Sequence, residues 1–101
     1  WLAYAEEADI LNVALFGFTA KAWREANPEL AKKNNVRDFA TINELTVLSN
    51  LESHNAQMIK EGKKKEERFK ILQEIAEYQL NVLNTAEKIK MLEDENQLVE
   101  I

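Results

Sequence analysis

From Lys63 to Ile101 the chain contains neither Gly nor Pro. Nothing there stops a helix, and a helix of about 35 residues would be about 52 Å long at roughly 1.5 Å per residue. The preceding residues can build a body with a radius of gyration on the order of 10–11 Å. Such a body cannot cover the helix, so part of the helix must project or meet another chain. Gly and Pro number only 2 and 1 in 101 residues, fewer than the turns of a strand-rich fold require. The expected fold class is therefore all-α. A helical body over 1–62 carries a long helix over 63–101, which packs on the body to about residue 86 and continues as a coiled coil.

The last third carries a seven-residue pattern that says what the projection is for. With Ile75 at position a, the a positions are Ile75, Val82, Ile89 and Asn96. The d positions are Tyr78, Thr85, Leu92 and Val99. Six of these eight are apolar over about three and a half heptads, near the minimum for a coiled coil. A second stripe, Phe69, Leu72, Ala76, Leu83 and Ala86, runs beside it only in the early half. That half is read as touching both its own body and a partner, and the later half as touching only the partner. These eight a and d residues are the expected dimer interface. Asn96 at a would fix register in a parallel pair. Lys88 and Glu93 would attract across it, and Glu95 and Glu100 would repel, so charge leaves the orientation open.

The body reads as three helices and two short turns. The first helix is expected from Ala3 to Phe16, with Tyr4, Ala8, Leu11, Leu15 and Phe18 on its buried face and Gly17 as its stop. Thr19 caps a short helix, Ala20 to Ala26, which ends at Asn27-Pro28. Pro28 opens a further turn to Lys33, and 36–40 form a connector. Thr41 and Glu44 have capping-box spacing at the start of the third helix. Its stripe is Leu45, Leu48, Leu51, Asn55, Met58 and Ile59, and Gly62 ends it. Phe16, Phe18 and Trp23 are read as core, because a small domain must bury much area with few residues. Arg24, Arg37, Asp38, Asn50 and Asn55 are read as polar pins between helices and loops.

Composition narrows the chemistry. There is no Cys, so neither a disulfide framework nor a thiolate metal site can form, which suits a reducing, cytoplasmic setting. No apolar run approaches the roughly 20 residues that span a bilayer, so no membrane role is expected. The single His54 has no i, i+3 or i, i+4 ligand partner. No Gly-rich loop could cradle a phosphate, and Ser49 and Ser53 lack a base. Glu6-Glu7 is an ordinary exposed helix start. No catalytic residue, cofactor or metal ligand is expected, and the chain reads as a non-enzyme. The net charge is −5, which opposes DNA binding by this segment. The run Lys63-Lys64-Lys65 is read as a solvated helix start. The chain begins at Trp rather than Met, which suggests a segment of a longer protein.

Two blocks resemble a known family. "YAEEADILNVALFGFTAKAWR" (4–24) and "NVRDFATINELTVLSNLESHNAQMI" (35–59) are similar to the C-terminal region of bacterial and phage proteins that carry an N-terminal KilA-N DNA-binding domain. The pattern includes Tyr4, Glu7-Ala8-Asp9, Leu11-Asn12, Leu15-Phe16-Gly17, Thr19-Ala20, Trp23-Arg24 and Asn27-Pro28. Arg37-Asp38, Leu48, Asn50-Leu51-Glu52, Asn55 and Ile59 complete it. The resemblance covers about two thirds of the chain and carries no catalytic motif. It implies a non-catalytic module of a regulatory protein that contacts DNA only through a missing N-terminal domain. The leading expectation is a homodimerisation module. The alternative is an antirepressor-like module that docks another protein without self-association.

Overall fold

The computed structural model describes residues 1–100, with side chains described through Glu95. Four α-helices form, α1 (Glu7–Phe16), α2 (Ala20–Ala26), α3 (Ile42–Lys60) and α4 (Lys65–Glu100), with one short 3₁₀ turn before α1 and two between α2 and α3. No strand occurs among the described residues. The fold is all-α with a long C-terminal helix. Its radius of gyration is 16.9 Å and its longest extent 58 Å, where a compact chain of 100 residues has a radius near about 13 Å. The excess comes from α4, whose 36 residues make a rod of about 54 Å.

Helix boundaries follow from caps. Thr19 Oγ1 accepts from the Ala22 amide at 3.1 Å and starts α2. Thr41 Oγ1 accepts from the Glu44 amide at 3.1 Å, while Glu44 accepts from the Thr41 amide at 2.9 Å. That reciprocal box starts α3. Gly17 ends α1 at φ 85° and Gly62 follows α3 at φ 81°, conformations that a Cβ disfavours.

The first helix starts later than its hydrophobic spacing suggests. Residues Leu2–Tyr4 form a 3₁₀ turn, Ala5 is extended, and α1 begins at Glu7. A Glu6–Asp9 capping box sets this start, with the Glu6 amide donating to Asp9 Oδ2 at 3.0 Å. The early turn carries Tyr4 outward, where it is 95 % exposed rather than part of a buried face. Trp1 instead folds back edge-on to Phe69, with ring centroids 5.0 Å apart.

The core lies where α1, α3 and α4 meet. Ile10 and Leu11 come from α1, Val47, Leu48, Leu51 and Met58 from α3, and Leu72 and Ala76 from α4. Val47 is fully buried, whereas Leu45 and Ile59 face solvent. The aromatic residues of 16–23 are not in this core. Phe16 stacks on Phe18 at 6.1 Å, and Trp23 meets Phe39 at 5.7 Å. They make a separate corner with Val36 and Ala40, and Phe18 and Phe39 stay exposed. Helix α2 is only seven residues long. Its main tertiary neighbour is the 3₁₀ turn Val36–Phe39 rather than the three-helix core.

Candidate interaction surface

One buried polar joint fixes the direction in which α4 leaves the body. Arg68 is buried one turn into α4. Its guanidinium forks onto the Glu7 carboxylate, with NH2 at 3.2 Å from Oε2 and NH1 closing on Oε1. NH1 also donates to Asn55 Oδ1 at 2.8 Å, and Nε donates to the Lys63 carbonyl at 3.1 Å. Asn55 Nδ2 donates in turn to Glu7 Oε1 at 2.8 Å. One residue from each of α1, α3 and α4 is thereby tied in a closed network. The Arg68 hydrogen bond is the main cause that holds the Glu7 carboxyl below the ordinary carboxylate range; desolvation opposes it, and Asn55 adds to it. Lys65 Nζ donates to the Ala5 carbonyl at 2.7 Å, a second tie to the start of α1.

The joint was only partly legible. Asn55 stands out in its apolar stripe, but Glu7 reads as an ordinary exposed helix start, and nothing in that position marks its half-exposed carboxylate as the anion for a buried Arg. Arg68 hides in the charged run 63–68. The signal for it is spacing, because Arg68, Leu72 and Ala76 are four residues apart and share the core face of α4. The lysines of the run serve the fold as well. Besides the Lys65 tie, Lys63 Nζ lies 3.7 Å from Glu61 and 3.9 Å from Glu67.

The other polar residues have separate places. Asn50 donates to Gln79 at 3.0 Å, bridging α3 and α4. Arg37 lies 3.7 Å from Glu52, an exposed pair. Asp38 accepts from the Asn35 amide at 2.7 Å and closes its own turn. Arg24 is exposed and forms no ion pair among the described residues. The last ties between body and α4 come from Asn43, whose Nδ2 is 2.8 Å from both Asn84 Oδ1 and Glu87 Oε2.

Beyond those ties α4 is bare. Every described side chain from Asn84 to Glu95 is exposed. Ile75 is half-buried against the core. Tyr78, Val82, Ile89 and Leu92 are 71, 49, 52 and 50 % exposed, and Thr85 is exposed between them. Asn96 and Val99 lie outside the residues whose side chains are described. The apolar strip runs beside the core stripe Leu72–Ala76–Leu83 rather than along it, because the two sets differ in their helical phase. A shallow groove runs along it at Asn81, Val82, Thr85, Ala86 and Ile89.

Among the described residues, the fold and this surface define an all-α chain with an exposed apolar strip along its long helix. Searches of protein-family models, curated proteins and solved structures find no match to this chain. Among the described residues, no helix is long and apolar enough to cross a membrane. No group of three or more His, Cys, Asp or Glu among them could hold a metal ion.

Proposed function

We propose that this chain is a non-catalytic oligomerisation module that pairs two copies through the exposed strip of α4. The observation that carries the reading is the coincidence of two independent patterns. Of the heptad's a and d residues, Tyr78, Val82, Thr85, Ile89 and Leu92 are ones that the body leaves exposed along α4. Four half-exposed apolar side chains per copy, each worth about 1 kcal/mol on burial, sum to a gross gain of about 8 kcal/mol for the pair. The cost of association is roughly 4–15 kcal/mol. Against the lower end of that cost the strip alone leaves about 4 kcal/mol, a millimolar pairing; micromolar pairing draws on flanking surface as well.

The resemblance to KilA-N proteins supplies the setting. In a bacterial or phage regulator, in the cytoplasm, pairing would bring two N-terminal DNA-binding heads together. A linked second head gains avidity of about 10² to 10⁴ without any new contact. The net charge of −5 suits a module that leaves DNA contact to those heads.

Sedimentation equilibrium tests the reading. The expected result is a dimer at micromolar concentration, weakened by the pair Ile89→Ser and Leu92→Ser. Both residues are exposed in the single chain, so the body should keep its helicity. A clean monomer at about 100 µM sets the pairing free energy weaker than roughly −5.5 kcal/mol. That outcome rejects self-association and favours the docking of a different protein on the same strip.

A further inference from the structure

The strip on α4 is too narrow to serve as a whole interface. Its four half-exposed apolar side chains offer on the order of 300 Å², where a stable pair needs about 800 Å² from each partner. A second copy that covers the strip must therefore also cover its flank. On one flank lies α3. Between the two helices is a notch of about 180 Å³, lined by Thr46, Asn50, Tyr78, Gln79, Val82 and Leu83. Tyr78 and Val82 belong to both strip and notch, so the two surfaces are continuous.

Next to the notch stands a knob. Ile42, one helical turn before Thr46, is 82 % exposed, the highest value for a large aliphatic side chain among the described residues. Its neighbour Asn43 bonds to Asn84 and Glu87. Ile42 is therefore level with the stretch of α4 between those residues. The notch is level with Tyr78 to Leu83. A knob and a hole on one face, offset along the helix, are what an isologous two-fold contact uses, because residue i of one copy must meet residue j of the other and the reverse.

The heptad fits the same operation. Reversing one helix places a positions opposite d positions. If Val82 faces Thr85 of a second copy, Tyr78 faces its Ile89 and Ile75 faces its Leu92. All three pairs are centred between Leu83 and Asn84. The same centre carries the level of Ile42, residues 84 to 87, onto residues 80 to 83 of the other copy, where the notch lies. In a parallel pair Ile42 would instead stay level with residues 84 to 87 and meet the exposed, largely polar stretch around Lys88.

We infer that two copies pair antiparallel about the Leu83–Asn84 level, with Ile42 of each seated in the Thr46–Val82 notch of the other. The interface then uses α3 and α4 of both copies. This rests on the pairing reading above and adds its orientation and the role of α3.

Cysteine cross-linking tests it on a clean background, because the chain has no Cys. Tyr78→Cys and Ile89→Cys both replace exposed residues, so the body is undisturbed. Eleven residues separate them, about 16 Å along the helix, well beyond the 4.4–6.8 Å that a disulfide spans between Cα atoms. The expected result is a disulfide between the two variants when they are mixed, one carrying a size tag, and none when either is oxidised alone. Ile42→Ser should weaken dimerisation at least tenfold in sedimentation. Self-cross-linking of each single variant overturns the antiparallel arrangement while leaving pairing intact. The same holds if a dimeric wild type gives no cross-link in the mixture, or if Ile42→Ser dimerises as well as wild type. A monomeric wild type removes the pairing reading and this inference with it.

Discussion

Replacing Glu7 by Gln removes one charge and almost no volume from the joint between α1, α3 and α4. Arg68 keeps its charge, and its side chain is only 6 % exposed. Its remaining acceptors are neutral oxygens of Asn55, Lys63 and the new Gln. Removing one partner of a buried ion pair costs about 3–5 kcal/mol. The Glu7 side chain is 45 % exposed, so solvent already screens part of the attraction and the loss should be smaller. About 2 kcal/mol is the expected cost for Glu7→Gln, a large share of the 5–15 kcal/mol that holds a domain folded. Thermal midpoint should fall by about 10 °C. Urea unfolding followed by far-ultraviolet circular dichroism measures it directly. The sharper test is a double-mutant cycle with Arg68→Met. Once the guanidinium is gone, Gln at position 7 should cost little, so the two changes should couple by about 1–2 kcal/mol. Additivity within about 0.5 kcal/mol would refute the reasoning and reduce the pair to a surface contact.

The pH dependence follows from the same carboxylate. The folded-state pKa of Glu7 is depressed, so its contribution is complete above the unfolded value near about 4.3. It is lost as pH falls through the lower folded value. The stability gap between wild type and Glu7→Gln should therefore be full at pH 7 and shrink below about pH 4, as urea titrations at both ends would show. A constant gap contradicts the assignment. Gly17→Ala meets no atom within 4 Å of the new Cβ but must hold φ 85°. It should cost about 1–2 kcal/mol of backbone strain without altering the association measured by sedimentation. A neutral effect would mean that the end of α1 relaxes to another conformation.

Much of the local structure was legible in the sequence because it is set within a few residues. Thr19 and Thr41 cap their helices through their own next turn, and Gly17 and Gly62 break theirs by accepting a positive φ. The uninterrupted run after Gly62 makes one helix because nothing in it costs enough to end one. The heptad was visible for the same reason, as a periodicity along one element. What the sequence left open depends on residues far apart in the chain. Glu7, Asn55 and Arg68 are separated by 48 and 13 positions, and no local rule distinguishes a buried Arg from an exposed one in a charged run. Packing also divided the aromatic residues. Tyr4 has helical spacing with Leu11, yet the Glu6–Asp9 cap delays α1 and turns Tyr4 to solvent. Phe16, Phe18 and Trp23 have the composition of a core, but they sit at the end of α1, in the turn after it and on the short α2, where they pair with one another and with Phe39 instead. The sequence by itself thus determined the helices and most of their ends, the start of α1 excepted. Only the tertiary structure decided which face of each is covered, because burial depends on the surface that another helix brings to it.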